Sequence, residues 1–187
     1  MSSPNSVRRT DRLLNDEGVE ALLQSGYCGH LGTVGADGVP YVCPLLYVWI
    51  DREIWVHNTA ASGHLKGNVQ HSAKVCFAID KPGEVFPYGR FECDTSVAYA
   101  SVIAFGQIRI IDDREQKGAF FDALMRKYAT PDPSRPKGFY PRLDDVTVYA
   151  ITPERITGKE NHLPAPQARW PAVDMTRTPR AVPPASP

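Results

Sequence analysis

The segment VHNTAASGHLK (56–66) concentrates groups that do chemistry. It carries His57, Asn58, Thr59, Ser62, His64 and Lys66, with small residues between them. Hydroxyls, imidazoles and an ammonium at a strand-to-helix turn are what a phosphate monoester requires. The helix start would add free N–H donors and a favourable dipole. A solvated turn that only caps a helix uses the same residues. PYVCPLLY (40–47) is a second candidate, because Pro44 interrupts an apolar strand. Proline donates no hydrogen bond, so this point belongs at a sheet edge or bulge. Neighbouring backbone groups are then free to meet the rim of a flat heteroaromatic ring. An edge strand with no ligand is the alternative. YASVIAFGQIRI (99–110) is the third, with Ser101 in an apolar strand and Gly106 marking a bulge or a close approach. For Ser101 alone, a satisfied core hydroxyl is the simpler reading.

Other residues offer less. His30 lies in a strand beside glycines and reads as a buried, hydrogen-bonded histidine; His71 reads as exposed at a helix end, and His162 as the start of a tail. The five histidines have no HxxxH or HExxH spacing, so no metal is assigned. Cys28, Cys43, Cys76 and Cys93 form no CxxC pair and read as small buried thiols. No GxSxG, P-loop or GxGxxG pattern occurs. The catalytic residues therefore stay unassigned.

These groups need a frame. Asn15 is placed to cap a helix through Leu22 and Leu23, ended by Gly26. YCGHLGTV (27–34) and VPYVCPLLYVWI (39–50) read as strands around a hairpin turn, GADG (35–38). Asp51 and Arg52 turn the chain into a strand at 53–58. Ser62 is expected to cap a short helix with Leu65 and Val69 on one face, and KVCFAID (74–80) alternates as a strand does. A turn-rich segment occupies 81–95, and within it EVFPYGRFECD (84–94), with Tyr88, Arg90 and Asp94, is expected to rim a substrate site. It precedes a long strand at 97–111 and an amphipathic helix opened by Asp112 or Asp113. A loop (130–142) leads to a last strand at 146–157. The connections are too short for repeated parallel crossovers, so the expected fold is mainly β: an antiparallel barrel with flanking helices. Residues 1–10 read as an arm, 11–162 as one domain, and 163–187 as a proline-rich tail in which Trp170 favours docking.

Composition sets the outer limits. With 187 residues there is enough chain for one domain with a core. Lys plus Arg and Asp plus Glu both total 21, which argues against a nucleic-acid partner held through phosphates. No run approaches the roughly 18 apolar residues of a membrane helix, and the first residues lack the apolar core of a signal peptide. The expected location is cytoplasmic, with no membrane partner.

Read together, 30–47, 55–68, 74–80, 91–110, FFDALMRKY (120–128) and ERITGK (154–159) resemble the pyridoxamine-phosphate-oxidase-like, FMN-binding split-barrel proteins. The branch containing nitroimidazole-resistance proteins is the nearest in pattern, and the likeness spans about residues 8 to 160. The resemblance implies a six-stranded antiparallel split barrel. It also implies a homodimer with two FMN sites across the subunit interface. Cys43, Pro44, Leu45, Leu46 and Tyr47 would line the isoalloxazine ring, largely through backbone. His57, Asn58 and Thr59 would lie near the ribityl chain and phosphate. His64, Leu65 and Lys66 stand where the oxidase branch carries an Arg-Lys pair, and Ser101, followed by Val102, stands where it has a glutamine. The function implied is FMN-dependent reduction of a small electron-poor organic substrate. A flavin carrier or sensor without turnover, and a deazaflavin- or haem-binding split barrel, are the alternatives.

Overall fold

The computed structural model describes residues 7–130 and 132–182, so part of the N-terminal arm and the last residues of the tail lie outside the description. Asn15 caps α1 (Asp16–Ser25): its side chain accepts a hydrogen bond from the Gly18 amide at 2.8 Å. Leu22 and Leu23 are the face that α1 buries. Then come β1 (Gly29–Val34), β2 (Pro40–Leu45), β3 (Tyr47–Ile50) and β4 (Glu53–Thr59). Gly38 turns the first hairpin at φ 78°. Asp51 and Arg52 make the second turn, with φ of 49° and 63°.

The expected strand at 39–50 is two strands. They part at Leu46, two residues beyond Pro44. This break supplies the seventh strand where six were expected. α2 (His64–His71) follows, and here too the structure corrects the expectation. Its N-cap is Gly63, not Ser62, and no side chain caps it. β5 (Lys74–Pro87) runs well past Asp80, so much of the expected turn-rich segment is strand, irregular between Pro82 and Val85. β6 (Thr95–Ile111) is followed by α3 (Arg114–Tyr128), capped by Asp113. β7 (Val146–Asn161) continues through Pro153, with a register shift opposite Phe105 and Gly106. Gly106 fits this shift because a Cβ there would lie 2.2 Å from the Thr152 carbonyl oxygen.

All seven strands form one antiparallel sheet in the order β2-β1-β5-β6-β7-β4-β3. The two edge strands are consecutive in sequence, so the sheet curls round but does not close. Alternation decides what faces inward. Leu31, Ile54, Val56, Phe77, Ile79, Val102 and Ile151 fill the inside, and α1 and α2 add Leu22, Leu23, Leu65 and Val69. A second cluster lies on the other face, where Phe120 and Leu124 of α3 meet Val48, Ile111, Val148 and Ala150. Burying Phe120 completely contributes about 1.5–3 kcal/mol.

The tail, 162–182, has no core of its own but folds back on the β5–β6 hairpin. The Met175 amide donates to the Tyr88 carbonyl at 2.8 Å, and the Arg90 guanidinium donates to the Pro179 carbonyl at 2.5 Å. Arg177 stacks on Tyr88 at 5.0 Å, and Asp94, 2% exposed, lies beneath. The tip that was expected to rim a substrate site is thus occupied by the chain itself.

Gly106→Ala is expected to lower stability by about 3 kcal/mol, because the methyl group has backbone rather than flexible side chain in its way. Urea denaturation against the unchanged protein measures this.

Candidate functional site

The first two candidate segments meet at an edge of the sheet. β2 pairs only with β1, and β3 only with β4. Each therefore has one margin of backbone N–H and C=O groups outside the ladder. Side chains on β2 alternate. Tyr41, Cys43 and Leu45 are half-buried, whereas Val42 and Pro44 are exposed, as is Leu46 at the break. The Tyr41 ring stacks on the His64 imidazole, with centroids 5.3 Å apart and planes 22° apart. This contact fixes the start of α2 against β2. Since no side chain caps α2, the amides of its first turn remain open to an anion. Lys66, two residues after His64, donates to the Ala60 carbonyl at 3.1 Å. Tyr41 was not singled out in the sequence, although it shares a face with Cys43 two residues away.

Other expected site residues turn elsewhere. Tyr47 is fully buried, and its hydroxyl donates to the Leu23 carbonyl at 2.8 Å. Burial pushes that phenol well above its usual range. The Lys127 ammonium stands 3.8 Å from the Tyr47 ring centroid, and burial lowers its pKa to about 8. Leu65 and Val102 point into the core, so near a surface ligand they offer backbone only. Asn58 accepts a hydrogen bond from the Tyr149 hydroxyl at 3.1 Å. Thr59 is exposed at the end of β4 and lines a cavity under α3.

His57 is turned away from the phosphate-type turn. Its ring lies 5.5 Å from that of Phe120 and 5.2 Å from that of Phe121, and its buried Nδ1 has no hydrogen-bond partner. Burial lowers its pKa below the ordinary 6.5 and holds it neutral. The cause is register: His57 pairs with Val148, whose side chain faces α3.

Ser101 lies on the outer face of β6, opposite Asp80 on β5 and Lys159 on β7. Strands β1 and β5 separate it from β2, a distance of about 14 Å at ~4.8 Å per strand. The fold therefore brings Tyr41 and His64 together, with Cys43 on the same face of β2, but leaves Ser101 apart. The outer face between them is uncovered and largely apolar. It carries Val42, Pro44, Ile103 and Phe105, with His30 exposed rather than buried. Arg155 stacks on Phe105 at 4.3 Å. Cys28, Cys43 and Cys76 are half-buried and Cys93 is exposed, so the thiols are not the sealed core groups expected. Among the described residues no helix is long and apolar enough to cross a membrane.

Residues 15–160 match the family model described as pyridoxamine 5'-phosphate oxidase. A search of curated proteins returns no match. Solved structures share the fold. A flavocytochrome from Azotobacter vinelandii superposes with a TM-score of 0.71 at 17% identity, covering 97% of this chain and 91% of its own. A candidate 5-nitroimidazole antibiotic resistance protein from Bacteroides thetaiotaomicron gives 0.65 at 21% identity, covering 79% and 86%. An FAD- and haem-binding protein from Mycobacterium smegmatis gives 0.64 at 17%, covering 80% and 72%.

His57 makes stability pH-dependent in a definite direction. The folded protein holds it neutral, while the unfolded chain takes up a proton as pH falls through about 6.5. This contribution is complete above that value and is lost below it. His57→Phe is expected to flatten the fall in urea midpoint between pH 8 and pH 5 relative to the unchanged protein. Parallel pH profiles of the two proteins would contradict this.

Proposed function

Because the chain belongs to the pyridoxamine 5'-phosphate oxidase family, we propose that it binds a flavin, FMN, at the break between β2 and β3 and uses it in redox chemistry. One observation carries the reading: unpaired backbone at this break adjoins the uncapped start of α2 through the Tyr41–His64 stack. The ring rim of a flavin needs backbone donors and acceptors, and its phosphate needs N–H groups and a cation. Backbone of Cys43–Tyr47 would meet the ring. His64, Lys66 and the first amides of α2 would hold the phosphate. A bound flavin supplies electron transfer to a small electron-poor organic substrate, so the protein need only position it and exclude water.

The site is proposed to be completed by a second copy. Val42, 62% exposed, and Phe105, 40% exposed, lie on an apolar face that none of the described helices covers, and a two-fold interface would bury it. Docking two such faces would bring Ser101 of one copy toward the Cys43 edge of the other, across the gap that one protomer leaves open. A cytoplasmic location agrees with the four unpaired thiols.

A second reading adds haem. His30 supports it: its side chain is exposed on the outer face of β1, whose backbone pairs there with Pro44 of β2 and Ala78 of β5.

The purified protein is expected to be yellow, dimeric on gel filtration, and to release FMN on denaturation, identified by mass. Lys66→Ala is expected to weaken FMN binding about tenfold, a loss near 1.4 kcal/mol. A colourless protein that also fails to bind FMN at micromolar concentration would overturn the proposal. A Soret band lost in His30→Ala would establish the haem reading. NADH or NADPH oxidation that stalls after one turnover would indicate a carrier.

A further inference from the structure

A cavity of about 1030 Å³ opens between α3, the start of β7 and the loop residues 132–143. It shares only Thr59 with the residues assigned to the flavin. The inference below stands on the cavity alone and does not rest on the flavin reading.

Its walls are of two kinds. Phe121, Met125 and Phe139 supply apolar surface. Phe139 is 66% exposed and Met125 39%, so the apolar lining reaches the mouth. The Phe121 ring meets that of Tyr140 at 5.5 Å, which ties the loop to α3. The Tyr140 hydroxyl donates to Asp122 at 2.7 Å and makes a second tie. The loop is thus anchored at its far end, and Gly138, at φ 64°, provides the turn before it.

The second kind is cationic. Arg126, Arg135, Lys137 and Arg142 line the cavity with three carboxylates, Asp122, Asp132 and Asp145. Asp122 is engaged by Tyr140, and Asp132 accepts from the Ser134 amide and hydroxyl. Lys137 spends one donor on the Asp132 carbonyl. Among the described residues the guanidiniums of Arg126, Arg135 and Arg142 make no side-chain hydrogen bond or ion pair, although the charge of Arg135 acts on Asp132 and that of Arg126 on Tyr140. Three guanidiniums therefore border the partly apolar cavity with their hydrogen-bond donors uncommitted among the described residues.

The combination selects a ligand. The volume lies at the upper end of the roughly 300–1,000 Å³ usual for small-molecule sites. A bare inorganic anion would satisfy the guanidiniums but leave the aromatic walls wet. A neutral hydrocarbon would cover the walls and leave the guanidiniums unpaired. We propose that this cavity binds an amphipathic organic anion, its aromatic or alicyclic body against Phe121, Met125 and Phe139 and its carboxylate or sulfonate at Arg126 and Arg142. Planar guanidinium suits such two-oxygen acceptors.

The test uses two fluorescent dyes of nearly the same shape on the full-length protein. 8-Anilinonaphthalene-1-sulfonate carries the anion, and N-phenyl-1-naphthylamine lacks it. The first is expected to bind saturably with one site per chain. Arg126→Glu combined with Arg142→Glu is expected to weaken the sulfonate dye at least tenfold and the neutral dye less than twofold. Ala129→Trp, at the exposed end of α3 and on the cavity wall, is expected to weaken both. Circular dichroism and FMN titration of each variant report folding and the flavin site separately, so either proposal can fail alone. Unchanged sulfonate binding in Ala129→Trp, or an equal response of the two dyes to the charge reversal, overturns the proposal.

Discussion

The chain passes from β2 to β3 at Leu46 without a turn, and this break is held by a single hydroxyl. Tyr128, the last residue of α3, accepts the Tyr47 amide at 3.3 Å; its oxygen also lies 2.7 Å from the Tyr27 carbonyl and 2.8 Å from that of Tyr47. One proton serves either carbonyl at a time. Through this group the end of α3 is tied to the entry of β1 and the start of β3. The edges of the sheet are consecutive strands because the ladder is interrupted here, two residues past a proline. Had β2 run straight on, the sheet would have had a different edge and a different margin of unpaired backbone.

The two hydrophobic clusters follow from that curl. The inner cluster needs α1 and α2 to plug its ends, and the outer one exists because α3 covers β3, β4 and β7. Among the described residues no helix covers the outer face of β2, β1, β5 and β6. The split between covered and bare faces sets the surroundings of each polar side chain. His57 falls under α3 and is silenced by burial, whereas His64 falls at the bare end, stacked on Tyr41. Two imidazoles seven residues apart thus have opposite surroundings.

The tail shows a related economy. Asp94, nearly inaccessible, receives the Phe91 amide at 3.3 Å, and Arg177 comes in from the tail to face it. The β5–β6 hairpin extends beyond the sheet, where its tip would otherwise be wet on both sides. The returning tail supplies the second side. Arg169 adds a partly exposed ion pair to Glu84, worth little on its own.

Much of the secondary structure was legible in the sequence because its causes are local. Asn15 and Asp113 cap helices through amides three residues away. The turn at Asp51–Arg52 and the alternation of Val75, Phe77 and Ile79 follow from neighbouring residues alone. The short helix carrying Leu65 and Val69 was also visible, although its cap is Gly63 rather than Ser62. Tertiary structure decided the rest. Whether His57 faces an anion or two phenylalanines depends on its register against Val148, about ninety positions away. Where β2 ends depends on a tyrosine at the far end of α3. The cavity under α3 depends on how residues 132–143 return to Phe121 through Tyr140. Sequence fixed each group's chemistry through local causes, but which face it occupies is settled by pairing between distant strands, where one residue of slip exchanges core for solvent.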